Sequence, residues 1–470
     1  MSVWEALKGA QVELAAIPTA AARLSRFKQL TRLLAGELIG ILQVIPFGVR
    51  AFWTYHRLPR ASDKLQANRN CVAVCKGLRY GSAVRALVDV YIPSQACAVG
   101  RLLPVALFCH GGVWANGERW HYAPLAKRLA QAGIMTAVIG YTLYPQASTH
   151  EMAAEVSQAL SWVQDNAAHY GGSPKQVSLV GHSAGAHLVM MALLDRAKFA
   201  RSRQRTQTQT GRDGRLPFQL VGMCGVYDIA RHYAYEEGRG VAGLSTMKRA
   251  VGGTRGFAAA SPAVIVSQVA SQRMGTAQTV PPAAGRSGGA AELQGRALGQ
   301  AVTEARPGLF TAPAVQKPAQ CNVSTQSSRQ SADSSSAPAQ RQVLDAQDTA
   351  PDGLPRVEEP KAIGSEPTSG RSAETMSFSP AEAALLPPIV LMHGVEDLIV
   401  PWQQSLEMAG QLGDAGVSCE QLLYKQVSHA DFATAWHPLP DQQVAKSQHL
   451  PDFAADLIQI LGGEAQIKDS

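Results

Sequence analysis

Five residues near the middle of the chain, Gly181-His182-Ser183-Ala184-Gly185, have types and spacing suited to nucleophilic catalysis. They follow the apolar run VSLV and precede an amphipathic stretch, so they read as strand, tight turn and helix. Such a turn tolerates only tiny flanking side chains, which accounts for the two glycines. Ser183 would then raise its hydroxyl above the sheet. A serine hydroxyl is a weak nucleophile without a base and an orienting acid. In this architecture the partners follow in the order Ser, acid, His. Asp397, in HGVEDLIVP, and His429, in KQVSHADF, fit that order, each just past an apolar run. His429 is expected to accept the Ser183 proton and Asp397 to hold the imidazole in the needed tautomer. The bland readings are a surface aspartate and a satisfied loop histidine. Glu396 is the competing acid.

A second motif supplies the electrostatics. His110-Gly111-Gly112-Val113-Trp114 follows another apolar run. Adjacent glycines let backbone N–H groups approach a developing oxyanion without a Cβ in the way. The amides of Gly111, Gly112 and Ala184 are the expected donors, helped by the positive end of the helix after Ser183. A phosphate-binding loop is the rival, but no G-x-x-x-x-G-K-[ST] follows. Trp114, Tyr227 and Trp402, with Trp120 and Tyr144, follow strands and are candidates to line an acyl or alcohol pocket, or else to pack structurally. His187 reads as a packing or polar-support residue. Neither a metal constellation nor a dinucleotide fingerprint is present, so no cofactor is expected.

The elements that must position these residues alternate. ALVDVYIP (86–93), VALFCHGG (105–112), IMTAVIGY (134–141), VSLVGHS (177–183) and LVGMCGVY (220–227) read as strands, and 121–132, 149–168 and 184–195 as helices. Alternation of this kind predicts a mostly parallel α/β sheet with helices on both faces. From 266 to 383 the composition turns to Gln, Ser, Ala, Pro, Gly and Thr without apolar period. That stretch is expected to be a disordered insertion. Strand 386–394, helix 402–415, strand 419–425 and helix 451–462 then resume the pattern. The expected division is an N-terminal region 1–69, a catalytic domain from 70–265 and 384–464, and the insertion between its halves.

Composition bounds the rest. The chain has 470 residues, 46% hydrophobic and 17% charged, enough for a sizeable core. Its 7 cysteines follow no repeating spacing, which argues against a disulfide scaffold and for a reducing compartment. Cys71 and Cys75 lack a second pair at a zinc-like distance. The net charge of +7 permits an acidic partner or an anionic membrane surface. Arg196, Lys198, Arg201, Arg203, Arg205, Arg212 and Arg215 form the densest basic cluster, interleaved with polar residues rather than aromatics. It reads as a solvated loop, so no nucleic-acid partner is expected. Residues 33–53 are mostly apolar but carry Glu37, Gln43, Pro46 and Arg50. A membrane anchor, an interfacial segment and a helix packed on the core all remain open, with membrane association favoured.

HGGVW, EVSQALSWVQDNAAHYGGSPKQVSLVGHSAGAHL, LPPIVLMHGVEDLIVP and VSHADF resemble the carboxylesterase-like branch of the α/β-hydrolase fold. Within it, YGSAVRALVDVYIP, GVYDIARHYAYEEGRGV and Ser261-Pro262 are similar to isoprenylcysteine α-carbonyl methylesterases of plants and algae. The resemblance covers most of 75–265 and 385–460. It implies that Ser183, Asp397 and His429 form a catalytic triad beside oxyanion donors Gly111, Gly112 and Ala184. It implies hydrolysis of prenylated-cysteine methyl esters, at endoplasmic reticulum or Golgi membranes or in the cytoplasm. Two features depart from the pattern: those methylesterases usually carry Gln where His182 stands, and the insertion is foreign to it. HGG-x-W with GHSAGAHL is equally similar to kynurenine formamidases, which leaves amide hydrolysis as a second reading. A non-catalytic receptor or scaffold on the same fold is the third.

Overall fold

In a computed structural model, the chain is described at residues 15, 18–60, 72–93, 102–206, 214–243, 245–277, 378–436 and 452–463. Eight strands form one sheet: β1 Ala73–Arg79, β2 Leu87–Ile92, β3 Leu103–Cys109, β4 Met135–Ile139, β5 Gly172–His182, β6 Gln219–Met223, β7 Ile389–Gly394 and β8 Cys419–Tyr424. Their spatial order is β1-β2-β4-β3-β5-β6-β7-β8. β2 runs antiparallel to both neighbours, and the strands from β4 to β8 are parallel. The expected α/β class and α/β-hydrolase topology are what the structure has.

Parallel strands covered on both faces should be apolar throughout rather than alternating. β4, β6 and β7 are buried at every position. Burying each Val, Leu or Ile of this kind contributes about 1.5–3 kcal/mol relative to exposure. β8 is half-buried or exposed at every position, as an edge strand should be.

The principal helices are α1 Ala20–Arg57, α2 Ala123–Gln131, α3 Thr149–Asn166, α4 Ala184–Thr206, α5 Ile229–Arg239, α6 Pro262–Ala277, α7 Gln403–Asp414 and α8 Asp452–Ile460. α3 starts in a capping box: the Glu151 carboxylate accepts the Ser148 amide at 2.8 Å, and Ser148 Oγ accepts the Glu151 amide at 3.4 Å. The side chain of Asp228 caps α5, and Gly240 ends it at φ 75°.

The structure departs from the sequence reading in three places. β1, α5 and α6 went unread, because each mixes polar with apolar residues. The insertion's edges move inward, since α6 runs through Ala277 and Phe378 is fully buried. Residues 278–377, where most of the expected insertion falls, lie outside the described residues. Arg196 does not sit in a solvated loop. It is on α4, 3% exposed, and donates to the Arg215 carbonyl at 2.9 Å and the Ser157 carbonyl at 2.8 Å.

For the apolar N-terminal segment the sequence allows a membrane anchor, an interfacial segment or a helix packed on the core. Among the described residues no helix is long and apolar enough to cross a membrane. The C-terminal end of α1 packs on the domain built around the sheet. Ala51 is fully buried, Phe52 meets Trp120 edge-on at 6.1 Å, and Arg50 donates to the Thr434 carbonyl. Tyr55 donates to Asp89 at 3.2 Å. Asp89 is fully buried, accepts the Gly77 amide at 2.7 Å and pairs with Arg119 at 3.1 Å. Removing one partner of a buried ion pair leaves the other charge uncompensated. Asp89→Ala is therefore expected to lower unfolding stability by about 3 kcal/mol. Urea denaturation followed by tryptophan fluorescence measures it, and a loss no larger than that of an exposed Asp→Ala control would contradict it.

Candidate active site

β5 ends at His182 and α4 begins at Ala184, so Ser183 alone makes the turn. It adopts φ 56°, a left-handed conformation that costs a serine about 1–3 kcal/mol. Hydrogen bonds on both sides hold it there: its amide donates to the Met223 carbonyl at 2.8 Å, and its carbonyl accepts the His187 amide at 3.2 Å. The turn also demands glycine at 185, where a Cβ would lie 2.2 Å from the Cys109 carbonyl oxygen.

Asp397 and His429 project from the loops after β7 and β8. His429 Nδ1 lies 2.6 Å from Asp397 Oδ2. Asp397 Oδ1 accepts the amides of Ile399 at 2.9 Å and Val400 at 2.8 Å. Burial alone would raise this carboxyl. Hydrogen bonds from His393 and His429 outweigh it and hold the group well below the usual carboxylate range. Asp397 is 4% exposed, whereas Glu396 is exposed and directs only its amide inward, to the Val427 carbonyl. The ring of His429 sits 5.0 Å from that of His182, next to Ser183. Among the described residues, no hydrogen bond joins the Ser183 hydroxyl to His429.

His393 is a participant that the sequence reading missed. It is fully buried, with Nδ1 2.7 Å from Ser405 Oγ and Nε2 3.2 Å from Asp397 Oδ2. Its spacing of four residues from Asp397 was the available signal. Cys224, His393 and Asp397 converge closely enough to suggest a metal site. The chemistry opposes that: burial pushes the Cys224 thiol far up, so it stays protonated, and both Asp397 oxygens already accept hydrogen bonds.

The glycine loop lies against the elbow, since a Cβ on Gly111 would fall 2.9 Å from Ser183 Cβ. The three expected donors are not equivalent. The Gly111 amide is spent on Tyr122 Oη, at 3.3 Å. The amides of Gly112, Val113 and Ala184 donate to no described residue. Gly112, Val113 and Trp114 have φ of 126°, 53° and 57°, a left-handed turn closed by the amides of Ala115 and Asn116, which donate to the Gly112 carbonyl at 3.1 and 2.9 Å. A positive φ at β-branched Val113 is a marked departure from preference, and no sequence rule points to it.

Trp114 is 2% exposed and donates its indole N–H to His187 Nδ1 at 3.2 Å, while His187 Nε2 lies 2.8 Å from the Ala260 carbonyl. Tyr227 is fully buried. These two candidate pocket residues therefore face the interior: each is large enough to fill the space under its loop. Trp402 is half-buried, at the start of α7. Exposed apolar side chains come instead from Val113, Leu398 and Ile399.

Residues 88–269 match the family BD-FAE. A rice (Oryza sativa subsp. japonica) protein named a probable isoprenylcysteine alpha-carbonyl methylesterase is 40% identical over 124 residues, 26% of this chain and 28% of that protein. A kynurenine formamidase of Drosophila melanogaster is 30% identical over 154 residues, 32% of this chain and 45% of that protein. The chain thus spans less than half the length of these relatives. A solved esterase B from Lactobacillus rhamnosis aligns with 93% of this chain and 96% of its own at 13% identity, with a TM-score of 0.49. Strand order and elbow define the class: the chain has the α/β-hydrolase fold. Within that class it resembles the BD-FAE esterases and, among curated proteins, the isoprenylcysteine alpha-carbonyl methylesterases, with kynurenine formamidases next.

α5 carries a titratable pair, His232 and Glu236, with His232 Nε2 3.6 Å from Glu236 Oε1. Burial lowers His232 to about 4, and His429 adds to this. Burial raises Glu236 to about 7, against the opposing pull of Ser245 and Arg239. An unfolded glutamate releases its proton near about 4.3. Between these values Glu236 holds its proton in the folded chain and has lost it in the unfolded one, so its own contribution to stability falls as pH rises through the interval and levels off above about 7, while the buried histidines, lowered by burial, contribute the opposite slope. Glu236→Gln should remove that falling contribution, so the variant gains stability relative to wild type as pH rises from 5 to 7. Melting temperatures from pH 5 to 8 test it, and parallel curves for variant and wild type would contradict it.

Proposed function

We propose that this protein is a serine carboxylic-ester hydrolase whose substrates are isoprenylcysteine methyl esters, with Ser183 as nucleophile, His429 as base and Asp397 as orienting acid. The observation that carries the reading is the 2.6 Å bond from His429 Nδ1 to buried Asp397, with the imidazole beside the strained Ser183 turn. Nδ1 engaged in this way leaves Nε2 as the ring nitrogen free to take a proton.

Ser183 Oγ attacks the ester carbonyl carbon while its proton passes to His429 Nε2. The oxyanion is held by the amides of Gly112, Val113 and Ala184, with Gly111 kept for the loop's own anchoring. The carbonyl re-forms, the bond to the methoxy oxygen breaks, and His429 gives that oxygen the proton, so methanol leaves. Water then repeats the sequence: its proton goes to His429, its oxygen to the acyl carbon, and Ser183 recovers a proton as the carboxylate departs. The absent Ser183–His429 hydrogen bond suits a resting enzyme, because such links often tighten only when substrate binds.

The prenyl substrate class is supported by the methylesterase relatives and by exposed apolar side chains around the elbow. Kynurenine formamidase relatives keep formamide hydrolysis as the second reading. Ser183→Ala is expected to lower turnover of p-nitrophenyl acetate by a factor on the order of 10³ or more. Equal rates would identify a non-catalytic receptor or scaffold. Farnesylcysteine methyl ester is expected to be turned over in preference to N-formylkynurenine; turnover of the latter alone would overturn the substrate assignment.

The proposed setting is an endomembrane surface, met by one face of α1. Ile45, Val49, Phe52 and Trp53 are 45–52% exposed and recur at helical spacing, and Arg57 lies over Trp53 at 4.8 Å. Sedimentation with vesicles containing phosphatidylserine tests this. The wild type should pellet and Val49→Ser/Trp53→Ser should stay in the supernatant, whereas equal partitioning would exclude this face.

A further inference from the structure

His182 lies between the elbow glycine and the nucleophile, and the mechanism above does not use it. It is 4% exposed and touches both halves of the site. Its Nδ1 is 3.1 Å from Tyr122 Oη, and its Nε2 is 3.2 Å from the main-chain carbonyl of His429. Tyr122 Oη in turn accepts the Gly111 amide at 3.3 Å. The chain contacts joined in this way are separated by 60 and 247 residues in sequence.

One protonation pattern satisfies every member. The His429 carbonyl can only accept, so His182 Nε2 carries the proton. Nδ1 is then an acceptor, and the Tyr122 hydroxyl donates to it while its oxygen receives the Gly111 N–H. The pattern requires a neutral imidazole. Burial, aided by nearby His429, keeps His182 neutral by lowering it to about 3, and burial raises the Tyr122 hydroxyl so that it keeps its proton.

We propose that His182 is a positioning residue: through Tyr122 and the His429 carbonyl it ties the oxyanion loop to the loop of the catalytic base across the nucleophile. Asp397 fixes the imidazole of His429 by its side chain, and His182 fixes the same residue by its backbone. With no direct Ser183–His429 bond in the resting structure, these two tethers set the distance that proton transfer must close. At the other end, the link consumes the Gly111 amide and so helps select Gly112 and Val113 as the loop's open donors. The inference rests on the serine-hydrolase reading of the site.

The test uses the full chain, with His182→Leu, His182→Gln and Tyr122→Phe assayed on p-nitrophenyl acetate. Rates are normalised to the fraction of Ser183 labelled by a fluorophosphonate. His182→Leu should lower kcat about 10-fold or more, with KM changed much less, because misplacement of a reacting group acts on the transition state. Gln, which keeps one donor and one acceptor, should recover most of the loss, and Tyr122→Phe should give an intermediate value. A kcat equal to wild type in His182→Leu, or a Gln variant no better than Leu, would overturn the proposal. Imidazole 15N spectra test the linkage without turnover. They should show His182 protonated at Nε2 alone from pH 5 to 8, with its Nδ1 resonance displaced in Tyr122→Phe. The opposite tautomer, or an unmoved resonance, would sink the relay. Wild-type protein with this tautomer but without ester turnover or Ser183 labelling would instead sink the hydrolase reading on which it stands.

Discussion

The carboxylate of Asp397 is a negative charge placed where water cannot solvate it. An isolated ion there would take up a proton or force the loop open. Donors drawn from its own loop, from β7 and from the turn after β8 prevent both outcomes. Two amides bind one oxygen, and two imidazoles approach the other. The same bonds that keep the group ionised fix where its loop can be. His429 is therefore aimed by a group whose own position is over-determined. The buried Ser405 hydroxyl extends this support by holding the far side of His393.

The sheet makes that arrangement available. Each candidate group leaves the carboxyl end of a parallel strand: Gly111 after β3, Ser183 after β5, Asp397 after β7 and His429 after β8. Open parallel sheets converge their loops along this edge. Close approach does the rest. The first turn of α4 presses on the carbonyl at the end of β3, which only a glycine at 185 permits. The strained serine and the left-handed residues of the glycine loop are then two results of one tight contact between neighbouring strand ends.

Most of this was legible in the sequence where the physics is local. Seven of the eight strands were legible: six are apolar runs, as strands covered on both faces must be, and β8, an edge strand with no buried position, was read from its place in the resumed alternation. β1 was not, because AVCKGLR lies on the sheet's outer edge and is buried only at its start. The choice of Asp397 over Glu396 could be argued from order and spacing, and burial now separates the two. What sequence could not reveal was direction. Nothing in HGGVW says that the first glycine's amide turns toward a tyrosine eleven residues on, or that a valine takes a left-handed conformation. Trp114 and Tyr227 stayed open between pocket and core for a different reason. Large aromatics after strands can cover a ligand or fill a core, and their periodicity is the same in either case.

The two halves of the candidate site also reach the sheet by different routes. Ser183 and the glycine loop belong to an uninterrupted run of strands and helices. Asp397 and His429 lie beyond residues 278–377. Geometry at the two ends of that stretch explains how β7 can still arrive in register. The Gln268 side chain on α6 accepts the Phe378 amide at 3.0 Å, and Gln272 donates to the Phe378 carbonyl at 3.2 Å. The Phe378 ring is fully buried against the core. Both backbone groups of the first described residue after the stretch are thus clamped to the last helix before it. Closing a longer connection costs only slowly more entropy. The β6–β7 pairing that carries Asp397 to the edge of Ser183 need not change with the length of chain between them.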